Sequence, residues 1–292
     1  MTFKKVLVLS FFIAVHIYVP QAVAHSLVWK VSKGNTYFYL GGTLHVLAAE
    51  DYPLPSEYNV AYTDADIIVF ETDLVLAASP QFQNKMMQYM TYHDERTLSH
   101  ELTAQVYQQL IQFMTTRGID SSHFTRFKPW AVALTLTLME YQRLGMMGEI
   151  GIDMHFYQRA LQDKKITSSL ETTDEQFNAM LAMSSIEPNQ AITSTLHDIE
   201  QLPVLIKSMK AAWRSGDLNA LLDSSLIVKM KLDAPDMYQT LVVERNNNWM
   251  RVLPLLVHRE GIEFVMVGAM HLVGEEGLLY LLQQQGFKVE PL

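Results

Sequence analysis

The chain has 292 residues, no cysteine, 22 Lys and Arg against 31 Asp and Glu, and a formal net charge of −9. An acidic chain without a Lys/Arg run lacks the electrostatic footprint of a nucleic-acid binder. Without cysteine it has no disulfide, no thiol nucleophile and no thiolate-bound metal, so any ion must be held by His, carboxylate or Met.

The first 24 residues read as a secretory signal. Lys4 and Lys5 form a basic start, residues 6–19 an apolar run, and Ala22-Val23-Ala24 the small-x-small cleavage pattern. Pro20 ends the run short of the roughly 20 residues that span a bilayer. The expectation is cleavage after Ala24, a periplasmic or secreted location, a mature domain over 25–292 and no stable membrane span.

Residues 29–31 and 36–40 read as strands of a hairpin around Ser32-Lys33-Gly34-Asn35. Pro53 and Pro55 make residues 51–56 a loop. Residues 66–70 form a continuous apolar strand ending at Glu71-Thr72-Asp73. The text then turns helical from about Pro80 to Asp236. Leu102, Val106, Leu110 and Phe113 share a helix face that ends at Arg117-Gly118. Another apolar helix covers 130–143 behind Pro129, and 151–164 is amphipathic with Ile152, Phe156 and Ala160 inward. One strand, 165–170, interrupts this zone and ends in Glu171-Thr172, after which Thr173 and Gln176 spell a capping box. Long helices follow from Pro188, with Pro203 as a break, and from Pro235 to Arg259. The chain closes with strand 263–267, helix 275–285, Gly286 and strand 287–290. Strands thus cluster at both ends with one near the middle. The expected fold is α/β, a single domain whose mixed central sheet is built from both chain ends and covered by a large helical middle section.

Two stretches match: an apolar strand breaking at Gly42 and delivering His45, and another breaking at Gly268 and delivering His271. A histidine just past a strand's C-terminal end lies where open α/β sheets place ligands, and glycine there lets the backbone turn and approach a bound group. Neutral imidazole is a common metal ligand and a base near neutral pH. Each alone also reads as an ordinary loop histidine. His93, His100, His123 and His258 look like surface or cap residues. Glu71 and Glu171 end strands and so bring carboxylates to the sheet's rim, as metal ligand or general base, or as plain surface acids. Such an N/O set suits zinc, manganese, cobalt or iron alike. Glu244-Arg245-Asn246-Asn247-Asn248-Trp249 places three amides, poor helix formers, in helical text. Arg245, Asn248 and Trp249 would share a face there, with Arg245 able to hold a carboxylate or oxyanion; a polar helix face with Trp249 packed inward is the plainer reading. The 17 methionines are scattered at core-like positions and read as fillers rather than a copper site.

In order along the mature chain, Gly41-Gly42-Thr43-Leu44-His45 with Tyr52-Pro53-Leu54-Pro55, Glu71, Lys128-Pro129-Trp130, Gly151-Ile152-Asp153, Leu170-Glu171-Thr172, Trp213 with Gly216-Asp217, Glu244-Arg245-Asn246 with Trp249, and Val267-Gly268-Ala269-Met270-His271 resemble the TraB/GumN family, which includes Tiki-type metalloproteases. The resemblance implies an α/β fold related to erythromycin esterases and ChaN-like haem-binding proteins. It also implies metal-dependent peptide hydrolysis through His45, His271 and Glu71, with Arg245 and Asn246 as site neighbours and a peptide or protein substrate. A non-catalytic envelope protein binding haem, a metal or a glycan, and a polysaccharide-export accessory factor, are the rival readings.

Overall fold

The structure, a computed structural model, describes residues 26–224 and 227–292; the expected signal segment lies outside them. Six strands form one sheet: β1 (Val28–Lys33), β2 (Thr36–Thr43), β3 (Ile67–Phe70), β4 (Ile166–Ser169), β5 (Glu263–Gly268) and β6 (Lys288–Pro291), in the spatial order β4-β3-β5-β2-β1-β6. β2, β5, β3 and β4 run parallel, while β1 is antiparallel to both β2 and β6. The C-terminal strand β5 is buried at every position and is inserted between β2 and β3. The expected mixed sheet built from both ends is therefore present, and four parallel strands end on one rim.

The helices used below are α1 (Ser56–Asp64), α2 (Ala104–Thr116), α3 (Pro129–Arg143), α4 (Ile152–Asp163), α5 (Thr173–Leu181), α6 (Pro188–Ser215), α7 (Pro235–Tyr238), α8 (Arg245–Trp249) and α9 (Leu278–Gln284). The sheet's core takes Tyr58 and Tyr62 from α1, Ile152, Phe156 and Ala160 from α4, and Trp213 from α6. A second apolar cluster, with Leu110, Met114, Val132, Leu136, Ile192 and Ile199, joins α2, α3 and α6. No helix among the described residues is long and apolar enough to cross a membrane.

Several local expectations change. Helix α1 begins directly after Pro55, since proline is barred from a helix interior but not from its start. Leu102 stands just before α2, whose cap is Thr103. The capping box is Thr172 with Glu175, not Thr173 with Gln176: Glu175 Oε2 accepts from Thr172 N at 2.8 Å, and Thr172 Oγ1 accepts from Glu175 N. α6 runs through Pro203 without ending. Proline costs about 3 kcal/mol in a helix interior, and buried Ile199, Leu202 and Ile206 on either side offset it by packing. The expected 235–259 helix is divided: α7 passes through a π-helical segment (Gln239–Glu244) into α8, and a short turn (Leu253–Leu256) follows. α9 starts only at Leu278, behind Gly277.

Candidate active site

The C-terminal rim of the four parallel strands carries all four of the strand-ending side chains: His45 after β2, Glu71 after β3, Glu171 after β4 and His271 after β5. The parallel pairing continues past β3 and β4, with Glu171 N donating to Glu71 O at 2.9 Å. This is the edge at which open α/β sheets bind ligands.

The glycines before the histidines act by close packing. A Cβ on Gly41 would lie 2.7 Å from the Phe264 ring, and one on Gly42 would lie 2.7 Å from Leu272 Cδ1. Gly42 is also an anchor: its carbonyl accepts from the buried Tyr58 hydroxyl and from Trp213 Nε1. The loop beyond is stitched to the start of α4. Leu47 and Met147 exchange backbone hydrogen bonds, and Ile152 N donates to Leu44 O at 3.1 Å. α4 thereby brings Asp153 beneath the loop, where its carboxylate accepts from Thr43 Oγ1 (2.9 Å) and His45 Nδ1 (2.8 Å).

Asp153 was not expected as a site residue. Its signal is a carboxylate at the second position of an inward stripe that otherwise reads Ile152, Phe156, Ala160. The Asp153 charge and hydrogen bond, with Glu71 beyond, raise His45 to about 9 against the opposing effects of burial and Arg245. The ring itself opens outward, with 61% of its side chain accessible. With Nδ1–H held by Asp153, Nε2 is the atom left facing the rim.

His271 is buried and held with the same tautomer. Asn246 Nδ2 donates to two carbonyl oxygens, those of His271 (3.1 Å) and Glu276 (2.7 Å). Its Oδ1 is therefore the atom 2.7 Å from His271 Nδ1, so Nδ1 carries the proton and Nε2 the lone pair. Burial first, then Arg245 and His45, push this imidazole down to about 3 despite Glu71, so it is neutral. Asn246 is fully buried and fixes the orientation of the His271 ring.

Arg245 lies at the centre of the cluster. Its NH2 group donates to Glu71 Oε2 (2.6 Å) and Glu171 Oε1 (2.7 Å), Nε donates to Glu171 Oε2 (3.0 Å), and NH1 donates to His271 Nε2 (3.1 Å). Trp249 supports three of these groups. Its indole N–H donates to Glu171 Oε2 (3.3 Å), its ring lies 4.5 Å from that of His271, and the Arg245 guanidinium stands 4.7 Å over it. The expected Arg245–Trp249 face is present, and Asn248 lines the groove beside it. Burial opposes ionisation of Glu71, but Arg245, the two imidazoles and the Gly268 N–H hold its carboxyl well below the usual range. Burial raises Glu171, with Glu71 adding to it and Arg245 and Trp249 opposing. His93, His100, His123 and His258 are exposed and remote in role.

The donor set can be tested against a divalent ion. A Cβ on Gly268 would lie 3.1 Å from His45 Nε2 and 3.2 Å from Glu71 Oε1, so these two donors face one small hollow that glycine keeps open. Two imidazole Nε2 atoms and a carboxylate suit a borderline divalent ion. The third donor, His271 Nε2, is engaged by Arg245, and among the described residues no three His, Asp or Glu side chains are gathered as an ion would require. The donor types suit such an ion, but the side chains are not gathered into a site, and His271 Nε2 is taken by the guanidinium.

Comparison with known proteins follows the same line. The model of the TraB/PrgY/gumN family matches residues 27–291, and the chain belongs to that family. It is 27% identical to the uncharacterized protein YbaP of Escherichia coli K12 over 253 residues, 86% of this chain and 89% of the relative. It is 24% identical to the metalloprotease TIKI2 of Danio rerio over 324 residues, 93% of this chain and 62% of the relative, and 20% identical to the metalloprotease TIKI1 of the same organism, covering 64% of it. No solved structure matches.

Proposed function

We propose that this member of the TraB/PrgY/gumN family is an exported, metal-dependent hydrolase of peptide bonds. The observation that carries the reading is the pair of imidazoles at one rim, each fixed as Nδ1–H by its own partner, Asp153 or Asn246, so that Nε2 faces the cluster. Likeness to metalloproteases adds the reaction class. His45, Glu71 and His271 would hold the ion, and His271 can do so only once Arg245 releases its Nε2. A bound divalent ion would activate water and polarise a carbonyl. His45 must lose its second proton first, so ion uptake competes with protons. Arg245, freed from His271, would stabilise developing negative charge on the substrate. Glu171, at the same rim, would take up the proton released by the attacking water and pass it to the leaving amine once Arg245 turns from it.

The test is elemental analysis of the purified protein together with digestion of a peptide library in added Mn²⁺, Co²⁺ or Zn²⁺. His45→Ala, His271→Ala and Gly268→Ala should each bind less metal and cleave at least about a hundredfold more slowly, the scale set by misplacing a reacting group. Gly268→Ala is the sharpest of the three. Gly268 has φ −52, so alanine costs no backbone strain and only fills the hollow. Metal content and cleavage equal to wild type in all three would sink the proposal.

A second reading, ligand binding without turnover, is favoured by one observation: Arg245 already engages Glu71, Glu171 and His271. Tight binding of haem, a metal or a glycan by a protein that cleaves no peptide would select it.

A further inference from the structure

Beside the rim, two cavities lie along α5 and the segment that runs through α7 into α8, and the second also opens onto α3 and α6. The nearer one, about 210 Å³, is lined by Glu171, Arg245 and Trp249 of the rim cluster and by polar Asn178, Thr240 and Glu244, with Leu170 and Ala179 among them. The farther one, about 250 Å³, is mainly apolar, with Met183, Ile186, Met230, Met237, Trp130 and Leu134 among its walls. Met237 of α7, Thr240 and Glu244 of the π segment and Asn248 of α8 recur at helical spacing, Met237 lining the farther cavity and the other three the nearer one. Across from them Glu175, Asn178 and Ala179 of α5 line the nearer cavity, and Met183 and Ile186 just beyond line the farther one. The π segment (Gln239–Glu244) lies at the junction, and such segments recur at functional sites.

We propose that these cavities are one substrate groove, in which an extended polypeptide runs from the catalytic rim over a polar stretch and seats a bulky apolar side chain in the far cavity. The inference rests on the hydrolase reading and names the substrate feature that the same site selects. Met237 precedes Arg245 by eight residues, about 12 Å of helix at roughly 1.5 Å per residue. An extended chain covers that span in about three to four residues. The recognised side chain therefore stands three or four positions from the reacting bond. Continuity with Arg245 and Glu171 argues for the substrate's own chain as occupant, since a ligand filling only the far cavity would have no use for the polar stretch.

The groove is tested by binding and by cleavage separately. The probes are a labelled Gly/Ala/Ser peptide carrying one Phe, and the same peptide with Asp in its place. Ser194→Trp on α6 and Thr137→Trp on α3 fill the apolar cavity from different helices, so if one fails to fold the other still reports. Wild type should bind the Phe peptide at least about tenfold tighter, as filling an apolar pocket does. Both filled variants should lose that preference. Phe-dependent binding without cleavage would remove the hydrolase reading and leave the groove standing. Cleavage blind to the side chain, with equal affinity for both probes, would overturn the groove and leave the hydrolase. Laurate binding in the cavity more tightly than the Phe peptide would also overturn it, in favour of an acyl chain.

Discussion

Arg245 joins two buried carboxylates and an imidazole, and its removal would leave Glu171 without a counter-charge and Glu71 with that of His45 alone. Arg245→Met should cost about 3–5 kcal/mol in denaturant unfolding at neutral pH, the usual result of breaking a buried ion pair from one side. The depressed pKa of Glu71 gives stability that is present above its unfolded value and lost as pH falls through the depressed one. The gap between wild type and variant should therefore narrow in acid. Glu263 is the opposite case: it is buried at the start of β5, and neither carboxylate oxygen has a hydrogen-bond partner. Burial raises its pKa, with Asp66 adding and Arg259 opposing. Its protonated form favours the fold at low pH, and that contribution is lost as pH rises through the raised value. Glu263→Gln should match wild type near pH 4 and melt about 2–4 °C higher at pH 7, the shift that roughly 1 kcal/mol makes in a domain of this size. At this scale the candidate residues were legible wherever a strand ended: His45, Glu71, Glu171 and His271 meet at one rim. Asp153 was not, because one carboxylate in an amphipathic helix gives no sign of the loop it will meet. Asn246 was legible as an oddity, an amide in helical text, but its role depends on two carbonyl groups that only the fold brings near.

The element that places His45 is the loop from Leu44 to Leu47, held by the start of α4. A Cβ on Gly151 would lie 2.1 Å from His45 O, a contact with backbone that no rotamer change relieves. Gly151→Ala should therefore push the loop off α4 and uncouple His45 from Asp153. The expected readout is an imidazole titration by NMR in which His45 falls from about 9 toward its ordinary value near 6.5, while the fold is kept. A His45 that titrates as in wild type would refute this account of the loop. The helices show where local reading stops. Pro203 was expected to break a helix, yet α6 continues because buried neighbours on both sides hold it. The 235–259 stretch was expected as a long helix. Its π segment faces α5 across a cavity, and periodicity carries no record of that partner.

For the whole molecule, the order of strands explains why residues far apart in sequence share a site. β5 comes from the C-terminal end yet lies between β2 and β3, so His271 arrives between the elements that carry His45 and Glu71. Strands at both termini, with helices between, were enough to read this α/β plan from the sequence, because near-continuous apolar runs mark buried parallel strands such as β3 and β5. Strand order and the helical wall of the groove were not readable, since both depend on contacts between distant segments. The central claim is that the rim is a metal-dependent peptide-cleaving centre. Its most direct test is the rate of peptide-library cleavage by one wild-type preparation, measured as purified, after chelator treatment, and after return of Mn²⁺, Co²⁺ or Zn²⁺. Cleavage that disappears with the chelator and returns with an ion is the predicted result; cleavage unchanged by chelation, or absent with every ion, would contradict it.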